Sequence, residues 1–210
     1  MNPRNWMRML FPTAHRLLVN KALRSLAYLD FNNVLIVGAG FDPYRRLFKE
    51  PNRYHTLDIK LTQGVTDVIA DAHALPFEDE CFDCLLASEV LEHLRSPGQF
   101  VNEATRVLKT EGKMILTVPF LFHKHGDPYD FWRPTDHAIR ELFKDFQFVE
   151  IKPVGNALHV ISDLITTAFY PYPVFVPFRI FNHLLMLFPQ IEIGRMKSHA
   201  ASGYLVCAIK

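Results

Sequence analysis

The sequence predicts one α/β domain built on a doubly wound sheet of seven strands. Two patterns support this fold class. Continuous apolar runs such as 34–37 recur along the chain, and they are typical of strands buried on both faces of a parallel sheet. Segments with helical spacing separate these runs, which is the β-α alternation of a doubly wound fold. The length of 210 residues fits a single domain with one sizeable core.

The first half of the chain begins with a helix and then alternates strands with short helices. Leucines and basic residues at helical spacing over 14–29 predict an amphipathic helix that covers one edge of the sheet. The run 34–37 is the first strand. Asp42 followed by Pro43 is typical of a helix start, so we predict a short helix to residue 50. Apolar, β-prone runs predict the next three strands, over 54–59, 65–70 and 82–87.

The second half continues the alternation. Ser96 and Pro97 begin a helix with apolar residues on one face. The turn at 111–112 leads into a strand over 113–118, and Thr135 caps the next helix. The last two strands are predicted over 146–151 and 204–209.

Residues 153–200 break the alternation, because they contain five prolines and many aromatic side chains. We interpret them as an insertion of one or two broken helices that forms a lid, a membrane-contact surface or a dimer face. A helical flap that only completes the core is the alternative. The predicted organisation is an amphipathic helical segment over 1–31, a ligand-binding domain over 32–152 and 201–210, and this insertion.

Composition and charge argue against several classes of function. A formal net charge of +1 gives no global attraction to nucleic acid, so no such partner is expected. Three cysteines are too few for a disulfide framework, which favours the cytoplasm. No apolar run is long enough to cross a bilayer, and the basic N-terminus lacks the features of a secretory signal. Peripheral membrane contact through 1–30 or 158–190, and a homodimer, remain open.

A glycine loop and a following acid predict a nucleoside-binding crevice. Gly38-Ala39-Gly40 follows the first strand, where backbone can approach a ligand closely. Asp58 lies twenty residues beyond Gly38, at the end of the next strand, where an acid would accept hydrogen bonds from ribose hydroxyls. Both features also suit NAD. A carboxylate at Asp42 would repel a pyrophosphate, however, so a cofactor without phosphate, such as S-adenosylmethionine, is favoured.

Four signals in order resemble the type 11 group of class I S-adenosylmethionine-dependent methyltransferases. They are the run 34–40, Asp58, Asp71-Ala72 before 75–77, and the segment 88–93. The resemblance covers about residues 32–151 and the final strand, and it implies a mostly parallel seven-stranded sheet with an antiparallel last strand. It implies a methionine-side loop formed by Gly38, Ala39 and Gly40, a ribose contact at Asp58, adenine contacts at Ile59, Asp71 and Ala72, and a methionine contact at Ser88 and Glu89.

Two positions depart from the pattern of that family. An acidic residue is common where this chain has Ile36, and a third glycine is common where it has Asp42. The first change removes a carboxylate that usually organises the amino-acid end of the cofactor. Asp42 and Glu89 are the candidate replacements. Without a replacement, the chain would bind the cofactor weakly or act as a catalytically silent scaffold or regulatory partner.

The segment 123–135 is the predicted site of chemistry, since it leaves the carboxyl end of a strand. Its second part, from Tyr129 to Thr135, resembles the Asp-Tyr-Trp-Arg segment of type 11 members. Methyl transfer needs alignment of the acceptor and sometimes removal of a proton. The candidate catalytic residues are His123, His125, Asp127 and Tyr129, with one of the two histidines as general base. Asp130, Trp132 and Arg133 are predicted to bind the acceptor; the alternative is that Trp132 and Arg133 only fasten the loop.

Two further patterns resemble the ligand runs of known metal sites. His123-x-His125-x-Asp127 resembles the metal-binding run of metallo-β-lactamase-like hydrolases, but Pro128 replaces the histidine that follows in that run. Glu89-x-x-Glu92-His93 resembles the metal-binding run of small-RNA 3′-end ribose methyltransferases. Many metal-free type 11 enzymes share it, so we predict packing at a helix start and no metal.

The resemblance implies an enzyme that transfers a methyl group from S-adenosylmethionine to oxygen or nitrogen of an acceptor, with S-adenosylhomocysteine as product. The acceptor is predicted to be a small molecule or a glycan precursor. The silent cofactor-binding scaffold and an NAD-dependent oxidoreductase are the alternatives.

Overall fold

The computed structural model describes residues 12–26, 29–125, 128–168, 184 and 200–210. Within them, seven strands form one sheet. They are β1 (Asn33–Val37), β2 (Arg53–Asp58), β3 (Val68–Ile69), β4 (Phe82–Ser88), β5 (Leu108–Pro119), β6 (Phe148–Val154) and β7 (Gly203–Ile209). Four helices accompany them, α1 (Ala14–Arg24), α2 (Pro97–Val107), α3 (Asp136–Leu142) and α4 (Ala157–Ala168), with single 3-10 turns at Arg45–Leu47 and Leu91–His93.

The sheet order is β3-β2-β1-β4-β5-β7-β6. Strands β1 to β5 pair in parallel, and β7 lies antiparallel between β5 and β6. This order confirms the predicted fold class, a doubly wound seven-stranded sheet with an antiparallel last strand. Because β1 to β5 run the same way, their carboxyl ends meet at one edge of the sheet, where open α/β sheets bind ligands.

The sheet buries apolar side chains on both faces. On one face, Phe100 and Ala104 of α2 pack against β4 and β5 and are completely buried. On the other face, Leu18, Val19 and Leu23 of α1 pack against β1, β4 and β5. The predicted edge helix is therefore part of the main core, and burial of its apolar face fixes the N-terminal end of α1 relative to the strand ends.

Three predicted elements are shorter in the structure. The first helix ends at Arg24, because the Ser25 amide and hydroxyl bind the carbonyls of the last turn. The predicted helix over 42–50 is only the 3-10 turn Arg45–Leu47, since Phe48 forms a β-bridge with Leu29 and pulls the chain into an extended path. Likewise, β3 covers only Val68–Ile69, because residues 62–66 form a hydrogen-bonded turn.

The first two residues of the predicted insertion, 153–154, still belong to β6, and helix α4 (Ala157–Ala168) follows them. Helix α4 packs against α1, and the Asp163 carboxylate accepts hydrogen bonds of 2.7 Å from the amides of Ala14 and His15. Residues 169–183 and 185–199 lie outside the described residues, so the lid, membrane-contact and dimer roles stay predictions, as do the proposed boundaries at 31, 152 and 200. Among the described helices, none has the length and apolar character needed to span a membrane.

Candidate active site

The glycine loop follows β1 with two residues in left-handed backbone conformations. Gly38 has φ +69° and Gly40 has φ +55°, a region that favours glycine. A Cβ atom at Gly38 would lie 2.3 Å from Cγ2 of Val90, which follows β4. The Gly38 and Ala39 amides donate to the Leu57 carbonyl at the end of β2. The loop therefore lies against the ends of its two neighbouring strands, as the sequence predicted.

Asp58 connects the end of β2 to this loop. Its Oδ2 accepts a 3.0 Å hydrogen bond from the Gly40 amide, and its Oδ1 accepts one of 3.0 Å from the Lys60 amide. The side chain is partly exposed, and an ionised carboxylate has lone pairs beyond these two bonds. It can therefore still accept hydrogen bonds from the two hydroxyls of a ribose. The next residue, Ile59, is 68% exposed and offers an apolar surface beside that position.

Asp71 and Ala72 follow the neighbouring strand β3. Asp71 is exposed, while Ala72 is buried. The amide and ring Nδ1 of His73 contact Asp71 Oδ1 at 2.9 and 2.6 Å. The backbone hydrogen bond from His73, followed by its ring, lowers the pKa of Asp71. The carboxylate is therefore an ionised acceptor at neutral pH, and it lies at the same edge of the sheet as Asp58.

At the end of β4, Ser88 and Glu89 differ sharply. The Ser88 hydroxyl is buried and lies 2.8 Å from the Thr117 hydroxyl, between β4 and β5. Glu89 has φ +57°, and its Oε2 lies 2.7 Å from Nε2 of His15. Its Oε1 is buried and has no hydrogen-bond partner among the described residues. Burial alone would raise the pKa of Glu89, but the charge and hydrogen bond of His15 lower it, so the carboxylate is ionised.

The two candidate replacements for the missing acid at Ile36 have different surroundings. Ile36 itself is completely buried in β1. Asp42 turns to the Tyr54 hydroxyl, which donates a 2.8 Å hydrogen bond to it, and its φ of +43° explains why glycine suits this position. Of the two, Glu89 is therefore the residue with a buried, unpartnered carboxylate oxygen, and it follows β4, the strand that pairs with β1.

His15 is a site residue that sequence reasoning missed. It is 3% exposed, and its Nδ1 lies 2.7 Å from the Ser202 hydroxyl while Nε2 contacts Glu89. The ring also stacks on Phe122 with the centroids 4.5 Å apart. No motif marks His15, because its partners are distant in sequence.

An ion pair between two residues of the loop after β5 stabilises the conformation of that loop. Arg133 binds both carboxylate oxygens of Asp130, at 2.6 and 2.7 Å, and donates to the carbonyls of Phe122 and His123. The Asp130 side chain is 1% exposed. Burial alone would raise its pKa, but hydrogen bonds from Arg133 and the His125 amide, together with the Arg133 charge, bring the pKa of Asp130 to about 2. Both side chains therefore serve to shape the loop.

Three hydrogen bonds attach the same loop to the turn after β4. The Phe131 amide donates to the Glu92 carbonyl at 2.7 Å, and the Trp132 indole donates to the Leu94 carbonyl at 2.7 Å. Nδ1 of His93 lies 2.6 Å from the Tyr129 carbonyl. The contacts of Trp132 and Arg133 thus match the alternative in which they fasten the loop, and their contact with an acceptor stays a prediction.

The two candidate bases have opposite electrostatic surroundings. Burial, and then the charges of His125 and Arg133, lower the pKa of His123. The Glu92 carboxylate, which lies 3.5 Å from Nε2 of His125, raises the pKa of that histidine. His123 is therefore the neutral imidazole at pH 7, which suits a general base. Asp127, the third candidate, lies outside the described residues.

The structure also brings together three side chains that the sequence did not associate. One donor atom each from Glu92, His93 and His125 lie within 4.8 Å of one another. The first two belong to the turn after β4, and the third belongs to the loop after β5. The docking of that loop on the turn creates the cluster.

Comparison with known proteins gives a family match for part of the chain. Residues 35–116 match a family described as a methyltransferase domain, the type 11 group. An uncharacterized protein of Methanocaldococcus jannaschii is 43% identical over 96 residues, which cover 46% of this chain and 45% of that protein. A ubiquinone/menaquinone biosynthesis C-methyltransferase of Blochmanniella pennsylvanica is 35% identical over 101 residues, covering 48% and 35% of the two chains. The matched segment thus spans about half, or less, of these relatives.

A solved structure supports the same fold. A SAM-dependent methyltransferase from Archaeoglobus fulgidus aligns over 100% of both chains with a TM-score of 0.61 at 16% identity. At this identity the likeness shows the fold alone. Together with the family match, it confirms the predicted resemblance to class I type 11 methyltransferases, a group whose cofactor is S-adenosylmethionine.

Proposed function

We propose that this chain, a relative of the type 11 methyltransferases, binds S-adenosylmethionine at the carboxyl ends of β1 to β4 and transfers its methyl group to an acceptor. The observation that carries the proposal is the buried, unpartnered Oε1 of Glu89, directly after the carboxyl end of β4. A buried carboxylate oxygen without a hydrogen-bond donor is costly, and it is retained where it serves a ligand.

The charges around this crevice favour a cationic cofactor. S-Adenosylmethionine carries a sulfonium and an ammonium group, whereas NAD carries a pyrophosphate. Glu89, Asp58 and Asp71 all present carboxylates at one edge of the sheet, and such an edge attracts cations and repels phosphate. Glu89 would take the role of the acid that is missing at Ile36, because it reaches the same region from the end of β4.

The loop 120–133 would form the part of the site that binds the methyl acceptor. We expect the acceptor to be a small molecule or a glycan precursor that is methylated on oxygen or nitrogen. Rings of Tyr129, Phe131 and Trp132 are 55%, 45% and 41% exposed, so the docked loop presents an aromatic surface. His123 would accept the proton of the attacking group, because its lowered pKa keeps it neutral.

Calorimetric titration with S-adenosylhomocysteine, S-adenosylmethionine and NAD tests the cofactor. We expect one site for the first two ligands and no heat with NAD. Glu89→Gln keeps the size of the side chain but removes its charge, so we expect the affinity for S-adenosylmethionine to fall about tenfold, equivalent to about 1.4 kcal/mol. Glu141→Gln is the matched control, since Glu141 is 74% exposed and pairs with Lys144 on the surface.

Two results would overturn the proposal. Heat with NAD and none with the methyl donor would assign a different cofactor. Equal affinities of wild type and Glu89→Gln would remove Glu89 from the site. Binding without turnover on a panel of hydroxyl and amine acceptors would leave the cofactor site intact and favour the silent scaffold over the enzyme.

A further inference from the structure

We infer that Glu92, His93 and His125 bind one divalent transition-metal ion beside the acceptor loop. The sequence favoured simple packing for the run 89–93 and no metal. The structure changes that interpretation in two ways. It places His125, from a separate loop, against this run, and it buries Glu92 completely.

Glu92 is the first observation that points to a ligand. Its side chain is 0% exposed, and neither carboxylate oxygen has a hydrogen-bond partner among the described residues. A buried carboxylate without donors is strongly unfavourable unless it is neutralised by a proton or paired with a cation. The charge of Glu89 adds to this cost by repulsion. A divalent cation would relieve both effects.

The distances fit a single ion. Oε1 of Glu92 lies 3.7 Å from Nε2 of His93 and 3.5 Å from Nε2 of His125. Ligands held about 2.1 Å from a tetrahedral ion lie about 3.4 Å from one another. The three atoms are thus already close to ligand spacing, and small side-chain rotations are sufficient to complete the site.

The outer nitrogens of the two rings have different partners, and the partner of His93 suits a metal-binding histidine. Nδ1 of His93 lies 2.6 Å from the Tyr129 carbonyl, which can only accept, so this nitrogen carries the proton and Nε2 has a free lone pair. Nδ1 of His125 lies 3.6 Å from Oδ2 of Asp130 and 3.3 Å from Arg133. Arg133 can only donate, so Nδ1 of His125 accepts from it and the ring proton lies on Nε2; binding of an ion would displace that proton. Metal-bound histidines almost always place their second nitrogen against a carbonyl or a carboxylate, as His93 does.

The donor set also indicates the class of ion. Two imidazoles and one carboxylate suit Zn²⁺, Co²⁺, Ni²⁺ or Mn²⁺, whereas Mg²⁺ and Ca²⁺ prefer sites made entirely of oxygen. Three protein ligands leave coordination positions open, as in catalytic metal sites. If the proposed methyltransferase activity holds, an oxygen of the acceptor could fill one of these positions.

Titration of chelator-treated protein, produced without a histidine tag, with Co²⁺ tests the inference by visible absorption. We expect one equivalent to bind and Zn²⁺ to displace it. Glu92→Gln, His93→Asn and His125→Asn should each weaken binding by roughly a hundredfold or more, since loss of an outer partner alone typically costs ten- to hundredfold. His137→Asn is the matched control, because His137 is an exposed histidine on α3 outside the cluster.

Thermal melting of each variant identifies loss of folding. Glu92→Gln should fold normally, because it removes a buried charge and keeps the side-chain volume. Failure of Co²⁺ to bind the wild type, or unchanged affinity in the three variants, would overturn the inference. Titration with S-adenosylhomocysteine on the same samples separates the two proposals, since an intact cofactor site without metal binding contradicts only the metal site.

Discussion

Replacement of His15 by leucine removes the partner that holds Glu89. The substitution deletes two 2.7 Å contacts, to Glu89 and to Ser202, at a position that is 3% exposed. The Glu89 side chain is 12% exposed, and it would lose the contact of Oε2 with His15. Breaking a buried ion pair on one side costs about 3–5 kcal/mol. For a chain of this size, that corresponds to a fall in melting temperature of roughly 6–20 °C.

The pH dependence gives a second, independent readout. In the wild type His15 lowers the pKa of Glu89 below its ordinary value of 4.5, so the pair stabilises the fold at neutral pH, and this stability is lost as the pH falls below about 4.5. In His15→Leu the charge and hydrogen bond of His15 are gone, so the pKa of Glu89 rises toward the value favoured by burial, opposed only by Thr117 and Arg16 among the described residues. The difference in stability between wild type and variant should therefore be largest at neutral pH and shrink in acid.

Urea unfolding of wild type, His15→Leu, Glu89→Leu and the double variant measures the coupling between the two side chains. We expect the double variant to be less destabilised than the sum of the single variants. Lys49→Met, which removes an exposed pair with Asp30, is the control and should leave the melting temperature unchanged. A wild-type melting temperature for His15→Leu, or additive effects of the two single substitutions, would show that His15 does not stabilise Glu89.

Three further substitutions test the loops around the crevice. Gly38→Ala should abolish cofactor binding by calorimetry, because the residue has φ +69° and the new Cβ would lie 2.3 Å from Val90; retained affinity would contradict the loop's role. Arg133→Lys loses the two-point contact with Asp130, so turnover should fall while binding of S-adenosylhomocysteine is unchanged, and equal losses in both would contradict a role confined to the acceptor loop. The wild type should lose activity in acid, because a protonated His123 cannot accept a proton, and burial lowers the pKa of His123 below its ordinary value of 6.5. In His123→Asn this loss should be absent, and an unchanged pH profile would exclude His123 as the base.

The central strands β1 and β4 were predictable because they are buried on both faces. Burial requires continuous apolar runs, and the predicted β1 and β4 differ from the structure by one residue at one end. The prediction of a helix over 42–50 was wrong because a contact between residues distant in sequence determines the backbone conformation there. The bridge between Phe48 and Leu29 outweighs the local helix signal of Asp42 and Pro43.

Site residues were predictable from the sequence only where a single residue at the end of a strand marks the position. Asp58 and Asp71 lie at the ends of adjacent strands, so their common edge follows from topology. The contact of His15 with Glu89 joins positions 74 apart, and no local pattern encodes it. The approach of His125 to Glu92 depends in the same way on how two loops dock.

A crystal structure of the chain with S-adenosylhomocysteine would show whether the strand ends bind this cofactor product. We expect ribose hydroxyls within hydrogen-bonding distance of Asp58, the adenine amino group at Asp71, and the amino group of the homocysteine part at Oε1 of Glu89. Ligand density elsewhere on the molecule, with protein side chains filling the space between Asp58 and Glu89, would contradict this expectation.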